Sequence, residues 1–301
     1  MRFLSYAAIL AAGFLSACAS TPHDYLSADT RTKIVSTEVV VPIHQNEIYV
    51  YVPPSQVSAS AGAQAGLVGA LVGAIIDASV DSIRTGKAET AVKPLRDAMV
   101  DYNFDSTMQG DMKNALAPVS WMGVDDVRVS KQITSRGVDG EIFGSKDGAI
   151  LVADTNYSLS NDGDVLTVAT WAALIPNNDA LRAIKPQKKK GSRVDAANAL
   201  YHNSFAYEVK LQNASPDRDK NIAIWSADHG ALTRAALTAG AREVAVMLAA
   251  DIQRLGDEGK AANAETATVD GQDGIVIATE STGKTVRFKD GSVKFAANAI
   301  Q

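Results

Sequence analysis

The chain holds one thiol, Cys18. A single thiol can accept a covalent group, but it cannot close an intramolecular disulfide, fill a multi-cysteine zinc site or form a C-x-x-C redox pair. Four histidines, His23, His44, His202 and His229, stand far apart, without the H-x-H or H-x-x-x-H spacing that brings two imidazoles onto one metal. The acidic pairs Asp125-Asp126 and Asp77/Asp81 have the residue types of a general acid and base, chemistry that requires one carboxyl to be desolvated relative to the other. Ser281-Thr282-Gly283-Lys284 lacks the upstream glycine of a phosphate-binding loop and reads as a turn, and no G-x-S-x-G elbow is present. These residues predict no catalytic site, no metal and no cofactor, and they leave Cys18 as the position where covalent chemistry is expected.

The surroundings of Cys18 define that chemistry. Arg2 supplies a positive start, an apolar run follows from Phe3 to Leu15, and small residues close the stretch. This is the layout of a secretory signal, and the run is short for a permanent transmembrane helix. Leu15-Ser16-Ala17-Cys18 resembles the bacterial lipobox, in which a leucine and two small residues let the lipoprotein signal peptidase cut before the cysteine. The resemblance implies that Cys18 receives a diacylglyceryl group on sulfur, becomes the new amino terminus and carries further acyl chains such as palmitate. Ala19 rather than Asp follows, which in that family implies release to the outer membrane. Each buried methylene is worth about 0.8 kcal/mol, so two or three chains anchor a protein without a membrane-spanning helix. The expected partner at this end is therefore membrane lipid, and the expected location is the outer membrane, lipid-anchored and facing the periplasm.

Bulk composition limits the other partners. Lys and Arg number 29 against 34 Asp and Glu; loss of Arg2 with residues 1–17 leaves 28 against 34, a net charge of −6. Nucleic-acid binding needs a clustered basic face, and aromatic platforms are scarce at 6% of residues, so no nucleic acid is expected.

The elements that must position any site read as an α+β domain over residues 34–255. It is preceded by a signal peptide (1–17) and a lipidated tether (18–33), and followed by a linker (256–273) and a small C-terminal β-hairpin appendage (274–301). Two extended runs, Ile34–Ile43 and Glu47–Val52, flank a turn-like Gln45-Asn46. Residues 59–76 contain no charge and place Gly62, Gly66, Gly69 and Gly73 at steps of four, three and four, all on one helical face. That face resembles the glycine zippers of some outer-membrane lipoproteins, and either close helix packing and self-association or insertion into a membrane fits it. Pro94 suits the first turn of a helix continuing through Leu95, Met99 and Tyr102, and a second helix precedes Pro118. Alternating strands then form a β-meander, with Asn161-Asp162-Gly163-Asp164 at a hairpin turn. Lys188-Lys189-Lys190 reads as a solvated loop or a lipid-headgroup contact. Ser226–Leu255 is the strongest helix, with Ser226 or Asp228 able to cap its start and Leu237, Ala241, Val244, Leu248, Ile252 and Leu255 along one stripe.

This order of parts, with the segments Y-H-N-S-F-A-Y-E-V and W-S-A-D-H-G-A-L-T-R, resembles a set of proteobacterial lipoproteins of no established activity, over most of the chain from Cys18 to residue 255. The expected function is a non-catalytic binding or structural role in the envelope, with a second copy or another envelope protein as partner through the glycine face. The alternative is a periplasmic carrier or hydrolase whose pocket gathers distant residues such as Trp171, Trp225 and Tyr207.

Overall fold

The computed structural model describes residues 25–52, 82–131, 148–186, 194–255 and 265–301. The lipobox residues Leu15, Ser16, Ala17 and Cys18, the glycines Gly62, Gly66, Gly69 and Gly73, and the run Lys188-Lys189-Lys190 lie outside the described residues.

The fold is α+β. Its centre is the predicted antiparallel meander of β4 (Ala149–Leu159), β5 (Val165–Pro176) and β6 (Tyr201–Lys210). The β4–β5 turn forms because Gly163 takes φ +68° while Ser160 Oγ accepts from the amides of Asp164 and Val165. Strands β1 (Thr37–Pro42) and β3 (Val124–Ser130) extend the meander on one side in parallel, giving the order β3-β1-β4-β5-β6. The expected hairpin between the first two runs does not form. Instead β1 and the two-residue β2 (Tyr49–Val50) both pair in parallel with β4, at its two ends. Gln45 fills the gap between them: its amide donates to Tyr157 O at 2.6 Å and accepts from Tyr157 N at 3.3 Å, replacing a backbone ladder step.

The C-terminal strands β7 (Thr266–Val269), β8 (Gln272–Glu280), β9 (Gly283–Phe288) and β10 (Val293–Ala297) are continuous with this sheet rather than appended to it. β10 lies parallel to β6 with Phe295 opposite Tyr207, and β9, β8 and β7 follow outward in antiparallel order. β7 also falls within the segment expected to be linker.

Helices α2 (Ser82–Ala98), α3 (Phe104–Leu116) and α5 (Arg218–Ile252) cover one face of the sheet; α1 (Ala28–Thr32) and α4 (Asp179–Ile184) are short. α3 starts where Asn103 accepts from Ser106 N, and it buries Phe104, Met108, Met112 and Leu116 at four-residue steps. Each such side chain contributes about 1.5–3 kcal/mol of burial. Pro94 is not at a helix start: α2 runs through it on the exposed side, giving up one backbone bond while Ala88, Val92 and Leu95 keep the buried stripe continuous.

α5 begins eight residues earlier than the apolar stripe suggests, because Asp217 caps it through Asp219 N. Ser226 does not cap; it donates back to Ile222 O, and the helix breaks at Ala227–Gly230, where Asp228, His229 and Gly230 are left-handed. Thr233 Oγ1 donates to Trp225 O at 2.8 Å across the break, and Arg234 donates to His229 O at 2.9 Å. Beyond it, Gly240 lets the helix settle on the sheet, since a Cβ there would stand 2.6 Å from Val168 Cγ2.

The chain also joins the fold earlier than residue 34. Leu26 is buried, and α1 is capped by Ser27, whose hydroxyl accepts from Thr30 N. No described helix is long and apolar enough to cross a membrane.

Candidate functional site

The described part of the chain that stands nearest in sequence to Cys18 is Tyr25, and it packs at the C-terminal end of α5. Helix ends leave carbonyls unsatisfied and carry partial negative charge, so a cation is favoured there. Arg31 of α1 supplies it, donating to Ile252 O at 3.0 Å and to Arg254 O at 2.6 Å. Its guanidinium lies 5.0 Å from the ring centre of Trp121, and that of Arg254 lies 5.0 Å from the ring of Tyr25, donating to the phenol oxygen at 3.1 Å.

Beneath these aromatics sits Asp251, 2% exposed. It accepts from Tyr201 Oη at 2.9 Å, Asn203 Nδ2 at 2.8 Å and Arg287 Nη2 at 2.8 Å, with Arg254 Nη1 at 3.5 Å. One carboxylate thus ties α5 to β6 and β9. Burial first, and then the charge of Asp251, holds the Tyr201 phenol well above its usual range, so it stays protonated and donating at neutral pH. Burial also lowers the Arg287 guanidinium, against the attraction of Asp251.

A second charged cluster lies on the opposite face, where β6, β10 and the β7–β8 turn meet. Lys294, 2% exposed, donates to Glu208 and Asp270 at 2.7 Å each, and Lys210 donates to Asp270 at 3.0 Å. Burial pushes the Glu208 carboxyl up against the pull of Lys294. Burial would raise Asp270 too, but hydrogen bonds to Glu208, Lys294 and Lys210 outweigh it and hold Asp270 well below the carboxylate range. Two cations face the two carboxyl groups of Glu208 and Asp270, an arrangement suited to clamping strands together.

A third feature is a polar row on β4, facing away from the helices. His44 Nε2 lies 3.4 Å from Asp154, while both amide atoms of buried Asn156 meet no hydrogen-bond partner among the described residues. The His44–Asp154 pair has the residue types of a base and its orienting carboxylate. Among the described residues no hydroxyl or thiol hydrogen-bonds to His44.

Of the remaining sequence candidates, His23, Asp77 and Asp81 lie outside the described residues, and those within them do not converge. Asp125 and Asp126 are exposed on β3, the latter accepting from Val127 N. His202 is buried on β6, and His229 is exposed in the helix break. Trp225 and Tyr207 pack in the core under the helices, Trp225 donating to Gly163 O at 2.8 Å, whereas Trp171 packs on the other face, so the three form no common pocket. Among the described residues, no group of three His, Cys, Asp or Glu could hold a metal ion. An open groove of about 800 Å³ runs between α2 and the first half of α5, floored by small residues including Gly86, Thr90, Ala91 and Ala223. The charged clusters were not legible in the sequence: Asp251 and Arg287 are 36 positions apart, and Glu208 and Lys294 are 86 apart.

No family model matches the sequence, and none of the curated proteins matches it. Two similar solved structures are the PelC dodecamer from Paraburkholderia phytofirmans and a point variant of it. The first is 9% identical, covers 78% of this chain and 96% of its own, and has a TM-score of 0.25. The variant is 10% identical, with coverages of 78% and 95% and a TM-score of 0.23. At so low a TM-score the likeness decides neither activity nor assembly for this chain.

Proposed function

We propose that this chain is a lipid-anchored envelope protein of binding or structural type, held at the outer membrane through Cys18 and facing the periplasm. The observation that carries the reading is the tetrapeptide Leu15-Ser16-Ala17-Cys18 behind a charged and apolar start, in a chain with no other thiol. The lipid does the anchoring, which is consistent with a described fold that offers no membrane-spanning helix. The sequence carries no local catalytic signature, which is why the reading is of binding or structural type. The contact element is the segment carrying Gly62, Gly66, Gly69 and Gly73, which receives a helix of another copy or of another envelope protein.

Metabolic labelling with a palmitate analogue, followed by detergent phase partition, tests the anchor: the wild type takes label into the detergent phase and Cys18→Ser does neither. Label retained by Cys18→Ser would contradict the assignment. For the contact, Gly69→Leu together with Gly73→Leu is expected to abolish crosslinked oligomers or partners. An unchanged crosslinking pattern would remove the glycine face from the proposal.

A further inference from the structure

We infer that the pole of the domain formed by α1, the Ser120–Met122 turn and the C-terminal end of α5 rests on the bilayer surface, with Val35 and Leu255 at the headgroup boundary. This rests on the proposed anchor at Cys18 and adds the orientation of the fold upon it. Seven peptide steps separate Cys18 from Tyr25, so the pole stands at most about 25 Å from the anchored sulfur even with that stretch fully extended. Tyr25 is held to Arg254 at this pole, so an anchor at Cys18 restrains this end of the domain.

The chemistry of the pole suits a lipid surface. Val35 is 82% exposed and Leu255 is 52% exposed, and both are joined to the same cluster: Arg31 reaches the carbonyl of Arg254, while Val35 O packs within 2.5 Å of where a Cβ on Gly123 would lie, next to the Ser120–Met122 turn. Tyr25 and Trp121 are the amphipathic aromatics that favour the membrane interface. A domain free to tumble on its tether would place no particular face on the lipid, and apolar side chains this exposed would gain nothing from proximity.

Cys18 being the sole thiol, the chain from Cys18 to Gln301 can be coupled through it to a maleimide-headgroup phospholipid in vesicles of phosphatidylcholine and phosphatidylglycerol. Hydrogen exchange of the coupled protein is then compared with the same chain capped by N-ethylmaleimide in solution. The expected result is several-fold slower exchange across 33–36, 120–123 and 252–255, with 272–280 unchanged. Val35→Asp with Leu255→Asp, both at exposed positions, removes that protection without changing exchange in the core of α5. Unchanged exchange at the pole, or protection confined to another face, would overturn the inference. Chemical coupling makes the outcome independent of whether the cell acylates Cys18, so failure of the orientation and failure of the anchor are read separately.

Discussion

Asp251 is the residue on which the described fold depends most locally, because it is the one carboxylate shared by Tyr201, Asn203 and Arg287 in a nearly dry site. Removing one partner of a buried pair leaves the other charge uncompensated. Asp251→Ala is therefore expected to cost about 3–5 kcal/mol in urea unfolding; a loss below about 1 kcal/mol, the scale of an exposed pair, would contradict the account. Asp270 gives the pH dependence. A carboxylate depressed in the folded state contributes stability above its unfolded value, near pH 3.9, and loses it as pH falls through the folded value. Glu208, raised by burial, carries the opposite sign, since its protonation on that descent favours the folded state, so the acid loss belongs to Asp270. Asp270→Asn should lower stability at neutral pH and flatten its fall below about pH 4, read from urea midpoints across the acid range. A variant with an acid limb as steep as wild type would exclude this role. Neither cluster announces itself in sequence, since its members sit on strands and helices that only the tertiary fold makes neighbours. The proposed lipobox differs in kind, because Leu15, Ser16, Ala17 and Cys18 are contiguous in the sequence.

At the scale of elements, two glycines separate packing from propensity. Gly240 approaches the sheet so closely that a Cβ would meet Val168 Cγ2 at 2.6 Å and Tyr207 Cδ1 at 2.9 Å, both in the core. Gly86, on the exposed side of α2, has nothing within 4 Å. Gly240→Ala is expected to destabilise by about 1–3 kcal/mol through overpacking, and Gly86→Ala to stabilise by about 0.5–1 kcal/mol through helix propensity. Thermal and urea unfolding of the two variants should shift in opposite directions, and a shared direction would refute the packing given for α5. The elements legible in the sequence are those with strong local signals: β4 and β5 by alternation around Gly163, and α5 by its stripe from Leu237 to Ile252. What escaped was decided by distant partners. β2 pairs with β4 through only Tyr49 and Val50, β7 is held by β8, and the α5 break depends on Thr233 and Arg234, the latter also bonded to Asp101 and to Ala98 O.

For the whole molecule, the sheet runs without interruption from β3 to β7, so the described residues form a single folded body. On the proposed anchoring, the seven peptide steps from Cys18 to Tyr25 would make Cys18 an orienting device as well as an attachment. The central claim is the covalent one, and amino-terminal peptide mass tests it most directly. Protein isolated from its native membrane is expected to yield a di- or triacylated peptide beginning at Cys18, absent from the Cys18→Ser variant. An unmodified peptide beginning at any other residue would contradict the anchor and return the protein to the soluble periplasmic pool.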